Sequence, residues 1–135
     1  MSYAMAEALQ EAVHGRLMAD APLQALVGGA VHDAVPPGEA PGLYVLIGPE
    51  EVRDRSDRSG AGAEHDFTVS VVSDAAGFRQ AKAAAAAVSD ALTDAPLALA
   101  RGRLVGLWFL RARAGRVAQG ARRRIDLVFR ARLEG

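Results

Sequence analysis

The stretch RRRIDLVFRARLE, residues 122–134, decides the fold of this chain because apolar and charged side chains alternate along it. Its apolar side chains share one face of the predicted strand: Ile125, Leu127, Phe129, Ala131 and Leu133. The opposite face is charged except for Val128, and carries Arg122, Arg124, Asp126, Arg130 and Arg132. A period of two residues is typical of an antiparallel strand with one face on a core and one face in water. The pattern therefore predicts a sheet that is covered on one side only.

Other strand signals lie upstream of this stretch. Residues 104–114 predict a strand that forms a hairpin with residues 121–133 across the glycine-containing turn 115–120. Alternation over residues 67–71 predicts a half-buried strand, and the apolar run 43–47, extended past Pro49 to Val52, predicts a buried one. A brief strand is also predicted for residues 31–35, ended by Pro36-Pro37-Gly38. The chain thus contains three strand signals before its second main helix and two after it.

Two segments have the periodicity of amphipathic helices. Met5, Leu9, Val13 and Leu17 recur every four residues in the first, and Asp20 ahead of Ala21-Pro22 predicts the cap of a short second turn. Asp74 is the predicted cap of the second main helix, over residues 76–93. The apolar stripe of that helix consists of Phe78, Ala81, Ala85, Val88 and Leu92. We expect Phe78, Val88 and Leu92 to face Ile125, Leu127 and Phe129.

These elements define the expected fold class. The order helix-strand-strand-strand-helix-strand-strand predicts an α+β two-layer sandwich, with a mostly antiparallel sheet and two main helices packed on one face. A length of 135 residues is that of one ordinary domain, spanning residues 1–135. Residues 50–66 are rich in charge and contain Gly60-Ala61-Gly62. We expect them to form a protruding hairpin arm that is mobile in the free subunit and fixed on assembly.

Composition excludes several classes of function. The chain has no cysteine, and its longest apolar runs, such as residues 104–110, are far shorter than the ~20 residues of a membrane-spanning helix. No basic segment precedes an apolar stretch at the amino terminus, so we expect no secretion signal and a cytoplasmic location after synthesis. His14, His32 and His65 have no partner at metal-ligand spacing and are expected at the surface or its boundary. We predict no catalytic residue, no metal site, no cofactor and no membrane partner.

Charge is separated along the chain although the net charge is zero. Residues 1–100 contain 6 basic and 14 acidic side chains, whereas residues 101–135 contain 10 basic and 2 acidic ones. The arginines of the last third fit phosphate contacts, a protein interface or a solvated face. Exposed aromatic residues are not interleaved with them, because Trp108, Phe109 and Phe129 are predicted to be in the core. The three interpretations remain open on these grounds.

Candidate interface residues follow from this charge pattern. Arginines of the last third are expected to meet carboxylates of an adjacent copy, most of them from the arm. The complete candidate set is Glu50, Glu51, Arg53, Asp54, Arg55, Asp57, Arg58, Arg111, Arg113, Arg122, Arg124, Arg130 and Arg132.

Five segments resemble the small tail-completion, or tail-terminator, proteins of long-tailed phages, and most closely the version found in gene transfer agents. They are ALVGGAVHDAVPPG (25–38), HDFTVSVVSDAAGFRQAK (65–82), DALTDAPLAL (90–99), and LVGLWFLRARA (104–114) with RRIDLVFRARLE (123–134). The resemblance covers essentially the whole chain.

The resemblance implies a structural role without catalytic residues. It implies a hexameric ring on the head-proximal end of the tail tube, which stops polymerisation and contacts the head connector or stopper protein. DNA would pass through the channel without specific binding. The alternatives are a nucleic-acid-binding module that uses the carboxy-terminal arginines and, more remotely, a small-molecule enzyme.

Overall fold

The computed structural model describes residues 3–34 and 42–135. In chain order the elements are α1 (Ala6–Met18), α2 (Ala21–Val27), β1 (Val31–His32), β2 (Leu43–Asp54), β3 (Gly62–Ser73), α3 (Arg79–Leu92), β4 (Arg103–Val117) and β5 (Arg122–Glu134). The α+β class and the predicted order of helices and strands are confirmed. The predicted end of the first strand at Val35, and the Pro36-Pro37-Gly38 stop, lie outside the described residues.

The five strands form one sheet in the order β1-β2-β3-β5-β4. β1 pairs with β2 in parallel over two residues, and every other pair is antiparallel. β4 and β5 form the predicted hairpin, but β5 inserts between β4 and β3, and β4 is left at the edge. β3 and β5, which are separated in sequence by α3 and β4, therefore lie side by side in the sheet.

The core lies between the helices and one face of the sheet. The predicted alternation of β5 is confirmed, because Ile125, Leu127, Phe129, Ala131 and Leu133 are all buried. α3 covers this face with small residues, and Ala81, Ala84 and Ala91 allow its backbone to approach the strands closely. Val88 and Leu92 are buried in the same cluster, as predicted.

Phe78 is a correction to the predicted core. Its ring is only half-buried, is not part of the hydrophobic core that contains Ile125, Leu127 and Phe129, and lies near two cations. Lys82 Nζ is 5.9 Å and Arg123 Cζ 5.8 Å from the ring centroid. Because α3 begins at Arg79, Phe78 precedes the first turn and is not part of the buried stripe.

Of the two predicted helix caps, the one at Asp20 is confirmed and the one at Asp74 is wrong. Asp20 caps α2 as predicted, and its Oδ2 accepts a hydrogen bond from Leu23 N at 3.0 Å. Asp74 does not cap α3, because its Oδ2 accepts from Gly42 N at 2.8 Å and thereby ties the start of β2 to the end of β3. α1 is fixed to α3 by Arg16, whose Nε donates to Ala91 O at 2.9 Å near the carboxyl end of α3.

The predicted hairpin over residues 50–66 is present, but most of it belongs to the sheet. β2 and β3 pair from Leu43 with Ser73 to Asp54 with Ala63, and β3 pairs with β5 along its other side. His65 is completely buried in this region, which also corrects its expected surface position. The polar residues were read as a protruding arm, yet only the loop of residues 55–61 extends beyond the paired strands.

Candidate assembly surface

The sheet face opposite the helices, here called the open face, carries the charged side chains of β2, β3 and β5. Strand register places Arg53 beside Glu64 and Asp66 beside Arg130. Both carboxylates are largely shielded, with side chains 11% exposed for Glu64 and 16% for Asp66. These four residues form one group, called the central ion cluster below.

The geometry of the central ion cluster is that of strong, charge-assisted hydrogen bonds. Arg130 binds Asp66 in a bidentate manner, with Nε donating to Oδ1 at 2.8 Å and Nη2 to Oδ2 at 3.0 Å. Arg53 Nη2 donates to Glu64 Oε1 at 2.7 Å and to Asp66 Oδ2 at 3.2 Å. The two arginines therefore share both carboxylates.

Ionisation in this cluster follows from those contacts. The hydrogen bond from Arg130 lowers the pKa of Asp66, and the hydrogen bond from Arg53 lowers the pKa of Glu64, each against the opposing effect of burial. The same hydrogen bonds raise the pKa of Arg53 and Arg130. All four groups are thus charged at neutral pH and neutralise one another.

A second polar group lies nearer the start of β5. Ser70 Oγ donates to Asp126 Oδ1 at 2.5 Å, and Arg124 Nε donates to the same oxygen at 2.8 Å. Burial raises the pKa of Asp126, but the hydrogen bonds from Ser70 and Arg124 outweigh burial and leave that pKa lowered. Arg124, like Arg130, therefore has a carboxylate partner within its own chain.

β4 presents a contrasting surface. Arg111, Arg113 and Arg116 are exposed, and among residues 3–34 and 42–135 none of them forms a hydrogen bond or a close ion pair, although Arg113 lies opposite Asp126 of β5 and is attracted by its charge. Trp108 and Phe109, which were predicted to be in the core, are 45% and 42% exposed. Only Phe129 of the three predicted core aromatics is buried. These five β4 residues are called the β4 edge patch below.

The remaining predicted interface residues lie on the β2–β3 hairpin or beside it. Glu50 Oε2 lies 3.4 Å from His65 Nδ1, and Glu51 Oε1 is 2.9 Å from Arg53 Nη1. Asp54 and Asp57 accept hydrogen bonds from the hydroxyls of Ser56 and Ser59, which lower the pKa of both carboxyls. The loop side chains Arg55 and Arg58 are exposed.

The two remaining arginines of the predicted set lie at opposite ends of β5. Arg132 Nη2 donates to Arg55 O at 3.2 Å, and Arg122 is half-buried at the start of the strand. For every residue of the predicted set, a role at a subunit interface stays a prediction.

Sequence analysis missed an acidic groove at the edge of the sheet opposite β4. Glu7 and Glu11 of α1 line a groove with Asp33 and Glu50, at the β1 and β2 side. Their spacing of four residues on a helix, which places both side chains on one face, was the available signal. Glu7, Glu11 and Asp33 have no ion pair among the residues that the structure describes.

No group of three His, Asp or Glu side chains within residues 3–34 and 42–135 has the arrangement to hold a metal ion. None of the helices in that part of the chain is long and apolar enough to cross a membrane.

A small two-layer subunit whose exposed features are charged sheet surfaces and an apolar edge strand is characteristic of proteins that act by assembling with others. The family model described as Tail completion protein gp17 matches residues 11–134, and the chain therefore belongs to this family. The resemblance inferred from the sequence is thus confirmed, and with it a structural role in the tail of a phage or phage-like particle.

Solved structures add a close relative. A chain of the structure described as "Virion of native gene transfer agent (GTA) particle" is 69% identical and superimposes with a TM-score of 0.94. The match covers 99% of this chain and 100% of that chain. The search among curated proteins gave no match.

Proposed function

We propose that this protein is a tail terminator that forms a closed ring, with six copies as the family resemblance implies, on the head-proximal end of the tail tube. The observation that carries the proposal is the full-length similarity, at 69% identity, to a chain of a gene transfer agent virion. The ring would end polymerisation of the tube protein and present a surface to the head connector or stopper protein. Assembly would take place in the cytoplasm of the producing bacterium, and the protein would remain in the tail.

The distribution of charge supports a structural ring over a nucleic-acid-binding module. A protein that binds duplex DNA uses unpaired basic side chains to neutralise phosphates. Arg53, Arg124 and Arg130 are instead engaged by carboxylates of the same chain. The part of the open face that is neutralised in this way, on β2, β3 and β5, would let DNA slide through a channel without specific binding.

Loss of the protein from a producing strain tests this function. We expect tails of abnormal length, tails without heads and a loss of transducing or infectious particles, all restored by the intact gene. Electron microscopy with a label on this chain should show the label at the junction of head and tail. Tails of normal length that join heads without the protein would contradict the proposal.

The nucleic-acid alternative predicts a different result with purified protein. A monomer that binds labelled duplex DNA, with an affinity that falls steeply as salt is raised, would favour that alternative. A closed oligomer in native mass spectrometry, without such binding, is expected for the terminator.

A further inference from the structure

The sheet has two edges with opposite chemistry. The β4 edge patch contains three arginines and two aromatic side chains, and the groove at the β1 and β2 side is lined by four carboxylates. A closed ring of identical subunits needs two different surfaces that complement each other, one meeting the other on the next copy. The two edges satisfy that requirement.

The basic surface is distinctive in two ways. Among the described residues, four large apolar side chains on this one strand are exposed: Val105, Trp108, Phe109 and Val117. β4 also pairs with β5 alone, so the backbone groups along its outer side have no strand partner in the described part of the chain. A long apolar edge strand favours association with another chain unless it is covered.

The acidic surface lacks a basic counterpart in its own subunit. No Arg or Lys is among the described residues that line the groove, whose basic members are His14 and His32. His14 Nε2 is within 3.2 Å of Val31 O, and the His32 ring packs 6.4 Å from that of Tyr44. Glu7 and Glu11 are exposed one helical turn apart, a spacing at which like charges repel unless a cation approaches.

We propose that the β4 edge patch of one copy docks against the acidic groove of the next, with Arg111 and Arg113 meeting Glu7, Glu11 and Asp33. This inference rests on the proposed ring and names the surfaces that close it. The occupant is a second copy because exposed guanidinium groups without a hydrogen-bonded carboxylate and exposed carboxylates without a cation belong to the same chain and lie at opposite edges of one sheet. Trp108 and Phe109 supply the apolar area, while the charges set orientation and partner choice.

Engineered cysteines test the contact directly because the natural chain has none. We would prepare two double variants, Glu7→Cys with Arg111→Cys and Glu11→Cys with Arg113→Cys. The paired sites cannot be bridged within one subunit, because Glu7 and Glu11 lie on α1, on the helix side of the sheet, whereas Arg111 and Arg113 lie opposite Val128 and Asp126 on the open face. A disulfide requires Cα atoms within ~7 Å. Oxidation should therefore give a ladder of cross-linked oligomers on a non-reducing gel.

Single variants and a displaced pair serve as controls. Each single-cysteine variant should stay monomeric on the gel, as should Arg111→Cys with Asp90→Cys, whose second site is exposed on α3. A disulfide-linked dimer of Arg111→Cys alone would indicate that two β4 strands meet each other, and would overturn the proposal. Both the purified protein and the particles that contain it are to be examined.

Charge reversal provides a second, independent measurement. Reversing Arg111 and Arg113 to Glu should weaken self-association at least tenfold at low salt, and adding Glu7→Arg with Glu11→Arg should restore most of it. The matched control is Arg79→Glu with Lys82→Glu, an exposed pair on α3. These substitutions are at exposed positions, so the fold is expected to be retained.

The outcomes separate this inference from the proposed function. An oligomer that forms normally, gives no ladder and is insensitive to reversal of Arg111 and Arg113 would overturn the interface and leave the ring intact. A chain that shows no self-association either in solution or in particles would overturn both.

Discussion

β4 and β5 are adjacent strands, both rich in arginine, and they use that residue in opposite ways. In β5 the guanidinium groups of Arg124 and Arg130 are held by carboxylates of the same chain. In β4 Arg111 and Arg113 have no such partner among the described residues. For Arg130 the difference comes from position in the sheet, because its partner Asp66 lies on the neighbouring strand β3 and β4 lies at the edge, whereas Arg124 binds Asp126 of its own strand. Composition alone does not distinguish a structural arginine from one available to a partner.

The same comparison explains the distribution of apolar side chains. Every second residue of β5 from Ile125 to Leu133 is buried by the helices, whereas Leu107 is the one fully buried residue of β4. A strand enclosed on one face by helices and on both sides by neighbours contributes to stability. An edge strand contributes less and remains accessible.

The largest expected effect is at the centre of β5. Leu127→Ala removes a buried side chain, 3% exposed, and should lower the free energy of unfolding by about 2–5 kcal/mol. The matched variant on β4 is Val105→Ala, at a site 47% exposed, and should lower it by less than about 1 kcal/mol. Both are measured by denaturant titration. Equal losses for the two variants would mean that β5 and β4 do not differ in their contribution to stability.

A smaller effect is expected in the central ion cluster. Asp66→Asn removes the carboxylate that Arg53 and Arg130 share, and should cost roughly 1–2 kcal/mol at neutral pH. The pKa of Asp66 is lowered by folding, so its contribution is present above the unfolded value of about 3.9 and is lost as pH falls through the folded value.

The pH dependence provides the check on this prediction. The free energy of unfolding of the natural protein should decrease as the pH falls below about 4, and the decrease should be shallower in Asp66→Asn. A variant whose stability follows the same pH curve as the natural protein would show that Asp66 is not the group responsible.

Still smaller changes in stability are expected when an arginine of β5 that binds carboxylates and an exposed arginine of β4 are each replaced by alanine. Arg130→Ala should lower the denaturant midpoint, because it leaves Asp66 and Glu64 with fewer cationic partners. Arg113→Ala should leave the midpoint unchanged within error, while reducing self-association. If Arg113→Ala were the more destabilising of the two, the assignment of β4 as the surface available to partners would be wrong.

The sequence was sufficient for features that depend on neighbours along the chain. Alternation in residues 125–133 correctly predicted the buried face of β5, and Asp20 correctly predicted the start of α2. The apolar positions Val88 and Leu92 were also placed correctly in the core. Each of these depends on a local period or a local hydrogen bond.

Features that depend on contacts between distant segments were not predictable in the same way. Residues 50–54 and 62–66 were interpreted as a protruding arm because they are polar, but their charges pair across the open face. The separation of charge between residues 1–100 and 101–135 is also partly cancelled where Arg130 of β5 binds Asp66 of β3. Trp108 and Phe109 occur in an apolar run that predicts burial, and only the position of β4 at the edge exposes them.

The smallest effect on stability is expected at the loop of residues 55–61, which extends beyond the sheet. Arg55 N donates to Gly62 O at 2.8 Å, so residues 56–61 can be replaced by a two-residue Asn-Gly turn without removing a pair of the ladder. We expect the free energy of unfolding to change by no more than about 0.5 kcal/mol, whereas the yield of completed particles should fall, because this loop is the part of the predicted arm that remains free to contact the tail tube or the head connector.

The matched control keeps the loop length and neutralises its charge with Asp57→Asn and Arg58→Gln. A loss of particles in both variants would assign the role to charge, and a loss in the shortened variant alone would assign it to the length of the loop. Normal particle yield in both would show that assembly does not use the loop. The exposed edge strand β4, with its arginines and aromatic side chains, would then be the remaining candidate surface for contacts with other subunits.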